Sequence, residues 1–304
     1  MKKLFLLSLT ISMACLSCST TEEKNYKEYE GVWKRIGTVK YENQVAIDTF
    51  FFPEGRVIPR AQAPEVSVPG GRYKIFGDGH SIWFYSQDRK ASRPDAWAKT
   101  TYTMRNDSLF EDFTDGFWHD AMSNHPRMPD LLKNGFKAKI DINGDFYSQY
   151  RLRADGTASY GELYEKIDTY NVNPTKLTGA YNRVATVQIR NGKKSDTIDW
   201  KETTRNNIGA FQIIGDSKRL WAFNFENLDS LGNDTYPGSS ILSSYKIDGD
   251  LISDHLIFAT KRIRNIWERY DNKRERNFEL DGGKFGILTL NEDKNGQIAI
   301  FEKQ

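Results

Sequence analysis

Apolar and polar residues alternate along most of this 304-residue chain. Phe136, Ala138, Ile140 and Ile142 alternate with Lys137, Lys139 and Asp141, the period of a half-buried strand. Asn143-Gly144 follows, a favoured two-residue hairpin turn, and Phe146, Ser148, Tyr150 and Leu152 form the return strand. Asp155-Gly156 turns the chain into a further strand over 158–167. The same reading places strands at 45–52, 71–76, 82–85 and 100–104. It continues with 185–189, 209–214, 219–225, 241–247, 263–270, 285–290 and 298–301. Gly or Asn-Gly punctuation recurs at Gly192, Gly249, Gly282-Gly283 and Gly296. The clearest helix is short, over 129–133, begun by Pro129 and stopped by Asn134-Gly135.

The pattern repeats. Ile75-Phe76-Gly77-Asp78 with Trp83 returns as Ile213-Ile214-Gly215-Asp216 with Trp221. Gly31-Val32-Trp33-Lys34-Arg35 returns as Gly179-Ala180-Tyr181-Asn182-Arg183, Thr101-Tyr102 as Ser244-Tyr245, and Tyr164-Glu165-Lys166 as Phe301-Glu302-Lys303. Four blocks in one order, at offsets of 148, 138, 143 and 137 residues, imply a duplicated module whose copies differ in their loops. The copies are expected at 29–170 and 177–304, each closing its own apolar interior, with the boundary in the Pro- and Asn-bearing segment between them.

Each copy offers roughly eight to ten strands in meander order, and closing such a sheet removes its two edges. The expected fold is therefore all-β: two tandem up-and-down antiparallel β-barrels, with two-sheet sandwiches as the alternative. Gly31-x-Trp33 opening the first strand of an all-β meander resembles the lipocalin-like (calycin-type) domains of bacterial lipoproteins. The resemblance implies that Trp33 packs on the barrel floor. Tyr181 stands in its place in the second copy. A Thr-Asp-Tyr loop and a late Arg on the Trp, the other signatures of that family, have no assigned counterpart.

The first residues read as an address. Met1-Lys2-Lys3, an apolar run over 4–16 and Ser17-Cys18 resemble a bacterial lipoprotein signal. The resemblance implies a signal peptide of 1–17, lipidation of Cys18 and a polar tether over 18–28. Cys15 at the third place before Cys18, where Leu is usual, departs from the pattern; an ordinary signal peptide with a soluble periplasmic product is the alternative. The chain is expected in the cell envelope, lipid-anchored at the outer membrane, on either face.

Composition narrows the function. With Lys2 and Lys3 removed, 41 of the 43 basic residues remain against 41 acids, which argues against nucleic acid as a partner. A chain beginning at Cys18 has no second cysteine, so neither disulfides nor cysteine-based zinc sites fit. No cofactor is expected. No acid, base and nucleophile share a motif, so the chain reads as a non-enzyme. Glu162 and Glu165, three apart on a strand, face opposite ways. His119, Asp120 and His125, near Asp112 and Asp115, are weak metal candidates, since their spacing matches no established ligand set and the second copy lacks the histidines. His80 and His255 read as turn or surface residues. Lys261 to Arg276 is the richest basic stretch and reads as a solvated strand and loop rather than an anion site. Asp107-Ser108-Leu109, Asp196-Thr197-Ile198 and Asp229-Ser230-Leu231 resemble an O-glycosylation acceptor of exported Gram-negative proteins.

The residues expected to line a cavity are Trp33, Trp83, Tyr85, Tyr181, Trp221 and Phe223, with plain core packing as the competing explanation. By analogy of fold, the protein is expected to bind a small apolar or amphipathic ligand. The alternative is a non-catalytic interaction or accessory protein of a cell-envelope complex.

Overall fold

The computed structural model describes residues 26–53, 56–57, 68–87, 96–105, 107–117, 133–151, 155, 160–199, 210–223 and 239–304. A short 3-10 turn, Tyr26–Tyr29, leads into ten strands. These are β1 (Gly31–Glu42), β2 (Val45–Phe51), β3 (Arg56–Val57), β4 (Val68–Gly77), β5 (His80–Gln87), β6 (Ala96–Arg105), β7 (Ser108–Phe117), β8 (Phe136–Asn143), β9 (Phe146–Tyr150) and β10 (Tyr160–Asp168). The second half carries β11 (Gly179–Arg190), β12 (Lys193–Asp199), β13 (Ala210–Ile214), β14 (Lys218–Phe223), β15 (Ser239–Asp248) and β16 (Leu251–Ala259). Helix α1 (Lys261–Glu268) follows, then β17 (Lys273–Asp281), β18 (Lys284–Leu290) and β19 (Gly296–Lys303).

Each half closes on itself. In the first, hydrogen bonds run in the order β1-β10-β9-β8-β7-β6-β5-β4, and β4 returns to β1. In the second, the order β11-β13-β14-β15-β16-β17-β18-β19 returns to β11. Both are eight-stranded antiparallel barrels, so closure rather than a sandwich removes the sheet edges. The opening strand serves twice: residues 31–34 of β1 pair with β4, and residues 37–42 pair with β2. The second copy repeats this with β13 and β12. A register shift between Arg35 and Gly37, and again between Arg183 and Ala185, bends the strand where it changes partner. Gly31 (φ 140°) and Gly179 (φ 155°) start these strands in a backbone region that side chains avoid. A Cβ on Gly31 would lie 2.5 Å from the Asp168 carbonyl oxygen.

One end of each barrel is made of tight turns, with Asp78 and Gly79 at positive φ between β4 and β5, Gly144 between β8 and β9, and Gly249 between β15 and β16. At this end of the first barrel Tyr29, Trp33, Phe76, Met104, Leu109, Tyr147 and Tyr164 form an aromatic plug. Trp33 is fully buried; its Nε1 donates to the Tyr29 carbonyl at 2.8 Å, and it meets Tyr147 edge-on at 4.7 Å. Lys166 lies 4.7 Å over its ring, a late cation in the place where the resemblance calls for an Arg. Leu177, Tyr181, Ile214, Tyr245, Phe278, Phe285 and Phe301 fill the same end of the second barrel.

The two interiors are thus separate, but a third apolar cluster lies between the barrels. Ile75, Ile82, Phe84 and Trp97 of the first pack with Phe211, Ile213, Leu220 and Leu242 of the second, around Tyr170. These residues alternate with inward-facing neighbours and cover the barrels' outer faces. His80, expected in a turn or at the surface, opens β5 directly after the Asp78-Gly79 turn and is half-buried, with its ring 5.5 Å from Phe211. The segment joining the barrels is bonded down. Asp168 accepts from Ser217 N at 2.9 Å and Lys218 N at 2.7 Å. Asp216 accepts from Thr169 Oγ1 at 2.7 Å and from the amides of Val172 and Asn173.

The segment expected as a strand over 263–270 is instead helix α1. Ile263 and Trp267, four apart, point the same way and pack on Ile241, Ala259, Trp221 and Leu256 across the upper end of the second barrel. Asp271 and Asn272, both at positive φ, end it. The short helix expected over 129–133 lies almost wholly outside the described residues.

Candidate functional site

The strand register carries charge into both barrels. In the first, Thr38 faces Glu162 and Arg35 faces Tyr164 across β1 and β10. Glu162 pairs with Arg72 and, at 3.5 Å, with Arg35; Gln149 Nε2 donates to it at 2.8 Å and Tyr164 Oη at 2.9 Å. Burial alone would raise this carboxyl, but Arg72, Arg35 and Lys74 overcome it and hold it at about 2. Lys74, fully enclosed, donates to Gln149 Oε1 at 2.9 Å and pairs with Glu111 at 3.3 Å. Burial lowers its ammonium even so. Ser81 Oγ donates to Glu111 at 3.0 Å, and Thr100 lies beside it at 3.4 Å. Glu162 therefore faces inward, and Glu165, which pairs with Lys34 on the outer side, does not share its surroundings.

The second barrel has a smaller set. Arg219 forms a two-pronged pair with Asp254, Nε to Oδ1 at 2.7 Å and Nη2 to Oδ2, with both side chains fully buried. Ser243 Oγ donates to Asp254 at 3.1 Å, and Arg276 Nη2 reaches its second oxygen. Burial pushes Asp254 up, but the two guanidinium groups pull its carboxyl below the usual range. Burial lowers Arg276 to about 10 despite Asp254. Trp221 lies between the two, with Arg219 4.5 Å and Arg276 5.0 Å from its ring centre. Gln212, fully buried on the neighbouring strand, has no hydrogen-bond partner for either amide atom among the described residues.

A cleft of about 1010 Å³ opens at the end of this barrel where α1 sits. Gln188, Arg190, Tyr270, Arg274, Arg276 and Gln297 line it. Arg276 is thus shared between the cleft and the interior: its side chain is 9% exposed, and its far side is fixed on Asp254. The basic stretch expected to be solvated contributes this buried arginine. Arg274 rests 4.8 Å over Tyr270.

Of the residues expected to line a cavity, Trp33 and Tyr181 belong to the aromatic floors. Trp83 packs inside the first barrel on Ala98 and Phe113, with Arg72 5.5 Å over its ring, and Tyr85 shares its face one pair further along. Trp221 lies beside the buried arginines, and Phe223 pairs with Ala210 and Ser239 at the end of β14. Cys18, His119, Asp120 and His125 lie outside the described residues. Among the described residues no group of three His, Cys, Asp or Glu could hold a metal ion. Of the glycosylation-like serines and threonines, Ser108 is buried, Thr197 is exposed on β12, and Ser230 lies outside the described residues. Sequence reasoning missed Gln212, Arg219, Asp254 and Arg276. The signal was present: Asp254 falls 143 residues after Glu111, the offset of its block, and both interrupt an otherwise apolar strand face.

No family model and no curated protein matches the chain. Among solved structures, a lipocalin-like protein from Bacteroides uniformis ATCC 8492 is similar with a TM-score of 0.26 and 15% identity, over 43% of this chain and 100% of its own. An uncharacterized protein from Bacteroides eggerthii DSM 20697 follows at 0.25 and 15%, over 42% and 98%. The isotype 1 transferrin binding protein B from serogroup B Neisseria meningitidis gives 0.21 and 9%, over 90% and 76%. Strand order and closure define the class: two closed eight-stranded antiparallel barrels, each entered by a Gly-x-aromatic strand. The chain is a tandem of lipocalin-like barrels.

Proposed function

We propose that the protein is a ligand-binding module held at a membrane by lipid on Cys18, and that its second barrel takes the ligand. The observation that carries this reading is the cleft leading from solvent to Arg276 and, through it, to the buried Asp254. Clefts of this size with a few convergent polar groups are the usual form of small-molecule sites. The first barrel serves as a packed scaffold, its floor closed by aromatics and its middle by the Glu162 and Glu111 networks. The lining of the cleft favours an amphipathic molecule over a wholly apolar one, since arginine and glutamine stand beside Ile189, Leu288 and Leu290.

Titration with 1-anilinonaphthalene-8-sulfonate tests the site. The expected result is saturable one-site binding with quenching that Trp221→Phe removes. Quenching that never saturates, or that survives this substitution, counts against the second barrel. The anchor has its own test. Cys18→Ser moves the protein from the membrane to the soluble fraction and removes the acyl mass from its N-terminal peptide; an unchanged distribution sinks the lipid anchor.

A further inference from the structure

We infer that the interior of the second barrel is an anion site, and that its ligand presents a carboxylate or phosphate group to Arg276. The inference deepens the binding reading above and rests on it.

Comparison of the two barrels position by position carries the argument. The first barrel sets three cations, Arg35, Arg72 and Lys74, against two carboxylates, Glu111 and Glu162. In the second, Asp254 stands where Glu111 does, but Ala299 stands where Glu162 does. Thr38 faces Glu162 across β1 and β10, and its counterpart Thr186 faces Ala299 across β11 and β19. Gln149, which bridges Lys74 and Glu162, is replaced by Ile287, which faces Ala299 across β18 and β19. The second barrel has Ala210 for Arg72 and Gln212 for Lys74, but it keeps Arg183 in the place of Arg35, donating to Thr186 Oγ1 at 2.8 Å. It adds Arg219 and Arg276, so three guanidinium groups stand against Asp254 where the first barrel sets three cations against two acids. Arg219 and Arg276 share the single carboxylate of Asp254.

The polar atoms left over point the same way. Among the described residues, Arg219 Nη1, Arg276 Nε and both amide atoms of Gln212 are buried without a hydrogen-bond partner. Gln212 takes the place of Lys74, whose ammonium in the first barrel meets Glu111 and Gln149. Buried donors of this kind are rarely left unmet, and here three of the four atoms are donors, which an oxyanion accepts from. The route in is also present. Gln297 lines the cleft, and Ala299 is the next residue on its face of β19, half-buried beside the aromatic floor. In the cleft itself Lys273 is paired with Glu275 at 2.7 Å, whereas Arg274 and Arg276 turn toward aromatic rings and Asp254. An acid group entering here occupies the position of the carboxylate that Ala299 lacks.

The test is calorimetric titration of the full-length chain with benzoate, phenyl phosphate and the neutral match benzamide. The expected result is that one or both anions bind at least tenfold more tightly than benzamide; which anion binds more tightly assigns carboxylate or phosphate. Arg276→Gln lowers anion affinity at least tenfold more than it lowers benzamide affinity, and Arg276→Lys restores part of the loss. Ala299→Glu supplies the acid from the chain itself, as Glu162 does in the first barrel. It abolishes anion binding while the barrel stays folded, read as an unchanged or raised melting temperature. Equal binding of benzoate and benzamide, or anion binding that survives Ala299→Glu in a folded protein, overturns the anion site but leaves a ligand site standing. Failure of all three compounds and of the sulfonate dye to bind removes both readings.

Discussion

Glu162 sits where three cations meet, and its ionisation is tied to the stability of the first barrel. Its folded value of about 2 lies below the ordinary 4.5 of an unfolded chain. The group therefore stabilises fully above about pH 4.5, and the contribution, on the order of 3 kcal/mol, is lost as pH falls toward 2. Urea unfolding at pH 5 and pH 2.5 reads this directly; Glu162→Gln is expected to flatten the difference. At neutral pH the same substitution leaves Arg35 and Arg72 without their acid and costs about 3 kcal/mol, measured as a lower urea midpoint with unchanged slope. The sequence placed Glu162 and Glu165 on opposite faces, and the register agrees. It could not show which face was inside, because a charged residue in an apolar alternation reads equally well as solvated.

At the scale of elements, the same ambiguity explains which strands were legible. β8 and β9 alternate apolar and polar residues and stood out. β16 and β17 did not, since Asp254 and Arg276 occupy inward positions that apolar residues would otherwise mark. Helix α1 was misread for another reason. Ile263, Ile266, Trp267 and Tyr270 follow a spacing of three and four, but the segment is only eight residues long and rich in arginine. Its fully enclosed Trp267 holds it across the barrel. Trp267→Ala removes most of that contact and is expected to cost about 3 kcal/mol. Hydrogen exchange is the sharper measurement, because a loosened helix predicts that residues 260–272 lose protection beyond the loss that the jointly unfolding barrels share. An equal loss over residues 260–272 and both barrels contradicts a locally loosened helix.

The largest difference from the sequence expectation concerns the whole molecule. A repeat suggests two self-sufficient units, and each barrel does have its own interior. Yet the runs Ile82-Trp83-Phe84 and Leu220-Trp221-Ala222 are apolar on both faces, a pattern that fits strands buried on both sides. The outward members, Ile82, Phe84, Leu220 and Ala222, form the cluster between the barrels. Lys99 crosses it, donating to Asn182 at 2.9 Å and lying 4.1 Å over Phe211. Two barrels joined by an apolar face and a bonded linker unfold together when the face contributes more than either barrel has to spare. One calorimetric transition is therefore expected for the full chain, with equal van't Hoff and calorimetric enthalpies. Phe211→Ala lowers its midpoint by an amount matching about 3 kcal/mol. Phe211→Asp puts a charge into the cluster and is expected to split the transition in two. A wild-type chain that already melts in two steps means that this face does not couple the barrels, and a Phe211→Asp chain that still melts in one means that something other than this face couples them.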